Sequence, residues 1–234
     1  MDRIEAFKGV YMTSEQCLLI PEERTAVVAD LHIGYESALE AEGIHIPHVQ
    51  TASVKENLLK IIDKYALDRI ILLGDLKHEF SRNLGQEMRD VRSVMEMLSN
   101  LVEVILVKGN HDNYIENIVS RIQVPVVPLY RAAGLTFVHG HQPCADRPLV
   151  MGHEHPSVKI FDRVGAYLKL PCFVHLREEG VLVLPAFSPL AAGTDLTRVS
   201  KRDYLSPILK NYDVGEAEII GCSDIGLLPL GKLS

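Results

Sequence analysis

The chain has 234 residues, enough for one domain with a full hydrophobic core, and 47% hydrophobic with 24% charged residues is an ordinary globular balance. A net charge of −7 argues against a protein that grips duplex nucleic acid mainly through phosphate contacts. The apolar runs are too short to cross a bilayer, and acidic residues come early (Asp2, Glu5) with no apolar signal core, so no membrane partner and a cytoplasmic location are expected.

In chain order, residues 17–20 (CLLI) and 25–29 (TAVVA) read as two strands joined by the turn Pro21-Glu22-Glu23-Arg24. Residues 48–65 place Val49, Ala52, Leu58, Leu59, Ile61 and Ile62 at near-helical spacing. A buried strand is expected at 70–73 (IILL), a helix at 85–99 with Met88, Val91, Met95 and Leu98, and a strand at 102–107 (VEVILV). Further strands are expected at 135–138 (LTFV), 149–151 (LVM) and 181–184 (VLVL). Strands alternating with helices in the first half predict a largely parallel sheet, and the closely spaced strands after about residue 130 predict a second one. No linker or low-complexity stretch divides the chain, so residues 1–234 read as a single domain. The stretch from Ser200 shows little periodicity. The cysteines (Cys17, Cys144, Cys172, Cys222) are scattered, as buried free thiols would be. Arg82, Arg89 and Arg92 form either a local basic patch or a solvated helix face.

The residues just past each strand carry the chemistry. TAVVA leads into Asp30-Leu31-His32, and IILL into Gly74-Asp75 with His78 three residues on. VEVILV leads, after Lys108, into Gly109-Asn110-His111-Asp112. LTFV leads into His139-Gly140-His141, and LVM into Gly152-His153-Glu154-His155. Five successive strands thus deliver metal-type donors at their C-terminal ends, the edge where loops of an open α/β sheet converge on a ligand. Carboxylates can bridge two cations, and imidazole suits manganese, iron or zinc better than magnesium or calcium. Glycine before Asp75, Asn110 and His153 permits tight turns and close approach to a bound anion. Seven of the ten histidines lie in these motifs. His45 and His48, flanking Pro47, read as loop or helix-start residues, and His175 as an ordinary strand residue.

The ordered set D-x-H, G-D-x-x-H, G-N-H-D, H-G-H and G-H-x-H, from Asp30 to His155, resembles the calcineurin-like metallophosphoesterase superfamily, and within it the small archaeal SbcD-related phosphoesterases. That resemblance implies a four-layered α/β/β/α sandwich, with residues 156–234 completing the second sheet and the C-terminal elements. It also implies a two-metal centre. Asp30, His32, Asp75 and His155 would hold one divalent ion, and Asp75 would bridge to a second held by Asn110, His139 and His153. Manganese is the expected metal, with iron, zinc, nickel, cobalt or magnesium as alternatives. His141 is an alternative to His139, whose strand-end position favours it; His141 and Asp112 are otherwise candidates for the surrounding shell.

His111 would sit beside the scissile phosphate as charge stabiliser or general acid, with His78 as the other candidate acid. Protein Ser/Thr phosphatases carry G-D-x-x-D-R-G, whereas this chain reads Gly74-Asp75-Leu76-Lys77-His78-Glu79-Phe80, which resembles SbcD-type nucleases. Only 79 residues follow His155, too few for a separate DNA-binding cap beside the rest of the second sheet. The expected activity is hydrolysis of phosphodiesters in nucleotides or nucleic acid, with at most weak nucleic-acid binding. The alternatives are a phosphomonoesterase acting on small metabolites and a non-catalytic scaffold of the same fold.

Overall fold

The computed structural model of the protein describes residues 1–80 and 85–233. Among them the first sheet orders its strands as in the chain: β1 (Arg3–Phe7), β2 (Val10–Thr13), β3 (Leu18–Ile20), β4 (Thr25–Val28), β5 (Arg69–Leu73), β6 (Glu103–Val107) and β7 (Val126–Val127). Strands β1 to β4 run antiparallel to one another, and β4 to β7 run parallel. The parallel part needs crossovers, and these carry the helices: α1 (Tyr35–Ala41) and α2 (Gln50–Tyr65) after β4, α3 (Gly85–Ser99) after β5, and α4 (Ile115–Val119) after β6.

The second sheet contains β8 (Tyr130–Ala132), β9 (Leu135–Val138), β10 (Leu149–Met151), β11 (Pro156–Phe161), β12 (Tyr167–Leu176), β13 (Val181–Val183), β14 (Thr194–Asp195), β15 (Glu218–Ser223) and β16 (Gly226–Gly231). Its order is β14-β11-β12-β13-β10-β9-β8, with the hairpin β15–β16 attached to β12.

Alternation along the strands builds the layers. In β4, Ala26 and Val28 face the helices, where they meet Val54, Leu58 and Ile61 of α2 and Val94, Met95 and Leu98 of α3. Val27 faces the other way, as do Ile71 and Leu73 of β5. These pack against Phe137, Val150, Phe173 and Leu182 of the second sheet in a middle core shared by both sheets. Truncating Leu58 to alanine would cost about 2–5 kcal/mol, the usual range for a fully buried leucine. The far face of the second sheet, with Met151, Cys172 and Val183, is covered by Leu196, Tyr204, Ile208, Leu209 and Val214.

The four-layer order is therefore the expected one, but the outermost layer is not made of α-helices. Single 3-10 turns at Lys201–Asp203, Leu209–Asn211 and Val214–Glu216 build it, which explains the weak periodicity after Ser200. Pattern reading also misses the hairpin β1–β2, the long pair β11–β12 and the hairpin β15–β16. Arg82 lies outside the described residues. Arg89 is exposed on α3 and donates to Gln86, the behaviour of a solvated helix face. The four cysteines are free thiols, and Cys17, Cys172 and Cys222 are buried. No described helix is long and apolar enough to cross a membrane.

Register places the donor residues. Val28 pairs with Leu72 and Leu72 with Leu106, so β4, β5 and β6 end level and release Asp30, Asp75 and Asn110 on one edge. Met151 pairs with both Val138 and Val183, so β9, β10 and β13 also end level. A bridge between Ala29 and Ala186 ties the two edges together.

Candidate metal centre

Five of the predicted donors hold left-handed backbone: Asp30 (φ 58°), His32 (φ 45°), Asp75 (φ 47°), His153 (φ 68°) and His155 (φ 47°). Each such non-glycine residue costs on the order of 1 kcal/mol and persists only where its surroundings over-determine it. Here the loops brace one another. The Asp30 amide donates to the Gly74 carbonyl (3.2 Å) and the His32 amide to the Asp75 carbonyl (2.9 Å). The turns pack so closely that only glycine fits between them. A Cβ on Gly109 would collide with the Asp75 carboxylate, and one on Gly152 would lie 2.6 Å from both Ala29 Cβ and Asp30 Oδ2. Gly109 and Gly152 thus allow close approach to the centre's own carboxylates, and Gly74 to the His139 ring.

The side chains converge in two groups that share Asp75: Asp30, His32, Asp75 and His155 in one, Asp75, His139 and His153 in the other. Within each, the donor atoms lie within 4.8 Å of one another. In the first, the Nε2 atoms of His32 and His155 stand 3.1 Å apart, and His155 Nε2 is 3.3 Å from Asp30 Oδ1. In the second, His139 Nδ1 donates to the Leu73 carbonyl (2.8 Å), which turns Nε2 inward. That atom meets three acceptors: Asp75 Oδ2 at 3.3 Å, Asn110 Oδ1 at 3.0 Å and His153 Nδ1 at 3.1 Å. One proton can serve only one of them well, whereas a cation would satisfy all.

The electrostatics point the same way. Burial disfavours a charged ring at His139, yet the hydrogen bond and charge of Asp75, helped by Asp30, raise it to about 9. His155 is likewise raised against its burial, by Asp30. Burial, reinforced by the neighbouring His155 and His139 rings respectively, depresses His32 to about 3 and His153 to about 4. Asp30 and Asp75 are themselves held below the usual carboxylate range: burial opposes this, and the facing imidazoles prevail. In each group the carboxylates thus favour positive charge where a cation would sit. Asp30 Oδ1 also makes no hydrogen bond of good geometry among the described residues, although it is fully buried. Two oxygens of buried carboxylates, four imidazoles and an amide oxygen fit a pair of borderline divalent ions.

The remaining predicted residues ring this centre. The His111 amide donates to Asp75 Oδ1 (2.9 Å), and its Nδ1 donates to the His78 carbonyl, which points Nε2 towards Asp75 Oδ2 at 4.0 Å. His78 stacks on Tyr35 (ring centroids 3.9 Å apart) and lies edge-on to His32 at 5.3 Å. His141 is outside both donor groups; its ring is 5.3 Å from that of His139 and lines a cavity of about 430 Å³ with Lys108 and Asn110. Asp112 is buried and fastens the loops after β5 and β6, accepting from Leu76 (2.9 Å) and Gly109 (2.8 Å). Its burial, with the charge of Asp75, raises it to about 6. His45 and His48 lie beside Glu40, away from the donor groups.

Several bracing residues escape sequence reading. Gln50, at the start of α2, donates from Nε2 to the His32 carbonyl and to Ser188 Oγ (both 2.9 Å). Glu36 caps the same helix by accepting from Val49 and Gln50 (both 2.7 Å). Glu87 of α3 accepts from His78 (3.0 Å) and Glu79 (2.7 Å). Glu154, between His153 and His155, accepts from Leu205 (3.3 Å) and Ser206 (3.0 Å) and so ties the outer layer to the donor turn. Only Glu154 carried a signal, as an acid flanked by two site histidines.

A family model described as calcineurin-like phosphoesterase matches residues 23–214. Among solved structures, a nuclease named MPE from Pseudomonas putida is similar over 98% of this chain and 99% of its own, with 22% identity and a TM-score of 0.72. A protein of unknown function from Aquifex aeolicus, AQ665, matches over 60% of this chain and 81% of its own (19% identity, TM-score 0.37). The phosphoesterase YfcE from E. coli matches over 88% of this chain and 92% of its own (14% identity, TM-score 0.41). No curated protein matches.

Proposed function

Since the chain belongs to the calcineurin-like phosphoesterase family, it is a hydrolase of phosphate esters, and we propose that it cleaves phosphodiesters of nucleotides or nucleic acid at a two-metal centre. The observation that carries this reading is the pair of donor groups joined at Asp75. Asp30, His32, Asp75 and His155 would hold one ion, and Asp75, Asn110, His139 and His153 the other; manganese suits the imidazole-rich set. When bound, two such ions would supply Lewis acidity, easing deprotonation of the attacking water and offsetting the charge of the phosphate.

The chain's own residues would do the rest. His111 is fixed by its two hydrogen bonds with Nε2 facing the centre, where that nitrogen would donate to the leaving oxygen. His78, stacked on Tyr35 and flanking both His32 and His111, would support that proton transfer or contact the phosphate. The need for an acid is greatest when the leaving group is an alkoxide, as in a nucleotide diester. The Pseudomonas putida protein that shares the fold end to end is named a nuclease, in keeping with this reading. Buried free thiols at Cys17, Cys172 and Cys222 suit a reducing cytoplasm.

Single strands, ends or short oligonucleotides are the favoured polymeric substrates, because the charge of −7 opposes a long polyanion. Their binding would show a shallow salt dependence. The deciding assay compares a bis-aryl phosphate with the matched mono-aryl phosphate at saturating manganese. Faster turnover of the diester is expected; faster turnover of the monoester would reject the reading in favour of a metabolite phosphatase.

A further inference from the structure

A cavity of about 460 Å³ opens beside His155, between the β2–β3 turn, helix α2 and the loop from Phe187 to Gly193. That is within the roughly 300–1,000 Å³ range of pockets that enclose small ligands. Of the proposed donors, only His155 reaches it, so it is a neighbouring space rather than the centre itself.

Most of its charged wall groups already have partners. Lys169 donates to the carbonyls of Ala192 and Gly193, Lys60 pairs with Glu56 (2.8 Å), and Glu15 is held by Lys64 and Tyr65. Apart from His155, which belongs to the donor group, the remaining charge is Asp224, a carboxylate that repels phosphate. The side-chain amides of Gln16 and Asn57, by contrast, line the cavity with no hydrogen-bond partner among the described residues. Pro156, Pro171 and Pro189 add flat apolar surface.

With the Lys169 donors taken up by carbonyls, Lys60 and Glu15 paired and Asp224 negative, a second phosphate is not the preferred occupant. Free amides in a wall that also carries proline rings suit a neutral planar ring with hydrogen-bonding edges, because one amide offers a donor and an acceptor side by side. We propose that this cavity is a nucleobase subsite, which takes the base of a nucleotide adjoining the scissile phosphate. The assignment rests on the phosphodiester reading above. His155 supplies the link, since it lines the cavity while its Nε2 lies 3.3 Å from Asp30 Oδ1. A base held there leaves its own phosphate next to the donor groups.

The test compares a single-stranded oligodeoxynucleotide with an abasic strand of equal length, under manganese, for the wild type, Asn57→Ala and Ala191→Trp. The first variant removes one free amide, and the second fills the cavity from its loop. The wild type is expected to show a KM about tenfold lower for the base-bearing strand, the size of one or two net hydrogen bonds with some ring contact. Both variants should bring that ratio to within about twofold of one. Melting temperatures close to the wild type would establish that both variants are folded. A wild type that does not distinguish the strands, or folded variants that keep its preference, would overturn the subsite. Cleavage of neither strand, with phosphomonoesters still hydrolysed, would instead reject the phosphodiester reading itself.

Discussion

His139 and His175 are both buried imidazoles, one at the strand-end edge and one inside the second sheet, and they have opposite chemistry. His139 faces Asp75 and Asp30, and those charges overcome burial to raise it to about 9. His175 lies on β12, edge-on to Phe7 at 5.3 Å, and neither ring nitrogen has a hydrogen-bond partner among the described residues. The nearest carboxylate, Glu218, stands 3.9 Å away and is already held by Arg177. Burial, with the charge of Arg177, depresses His175 to about 4. Burial alone therefore says little about what a histidine does. The carboxylates around it decide whether it gathers positive charge, and the site edge differs from the sheet interior in that respect above all.

The strongest way to break the contrast is to remove the carboxylate common to both donor groups. Asp75→Asn is expected to weaken both ions at once, with metal content falling below two per chain. Turnover should fall by at least the ~10²–10³-fold that loss of one transition-state contact costs. Anomalous scattering that placed a single ion away from Asp75 would sink the bridged arrangement. His111→Ala probes the edge differently, because His111 touches the centre through Asp75 without belonging to either donor group. That variant should keep both ions yet lose about 10²–10⁴-fold in rate on a diester with an alkoxide leaving group. On a nitrophenyl leaving group, which needs no acid, the loss should be small. Full activity on the poor leaving group would mean that His111 is not the acid.

The same contrast explains what could be read from the chain. The convergence of the candidate donors was legible because they follow closely on strand ends, and because polar side chains gain little at that edge unless they meet one another. Asp30, Asp75, His139 and His153 carry that pattern in the sequence, and the level strand ends carry it into space. The braces were not legible, since a lone Gln50 or Glu36 on a helix reads as solvent-facing. Only the fold reveals that Gln50 reaches under the His32 loop. Glu87 and Lys77 are fully buried for the same kind of reason. The outer layer over the second sheet was illegible on other grounds: Tyr204, Ile208, Leu209 and Val214 sit on separate 3-10 turns and loops, with no single period to detect.

Braces should accordingly matter less than donors, which sharpens the comparison at intermediate size. Gln50→Ala removes the bonds to the His32 carbonyl and Ser188. It is expected to weaken metal affinity by ~10–100-fold, the usual cost of losing an outer partner of a ligand, while two ions still bind at saturation. Calorimetric titration reads both quantities. A stoichiometry of one would mean that the His32 loop collapses without Gln50, and that brace and donor are not separable.

The smallest expected effect belongs to His175, and its sign follows from its surroundings. In the unfolded chain this ring takes a proton near its ordinary value of 6.5, whereas in the folded protein it resists until about 4. Stability contributed by the neutral buried ring is therefore present above about pH 6.5 and lost progressively as pH falls towards 4. His175→Phe keeps an aromatic ring against Phe7 and removes the titration. Between pH 7 and pH 5 the variant should lose less thermal stability than the wild type, by about 2–4 °C for each 1 kcal/mol of linkage removed. His32, His78 and His153, also depressed, act in the same window in both proteins, so the difference between the two curves isolates His175. Parallel curves would mean that the folded protein protonates this ring as readily as the unfolded chain does. Glu218, in spite of its bond to Arg177, would then be compensating His175 as Asp75 compensates His139.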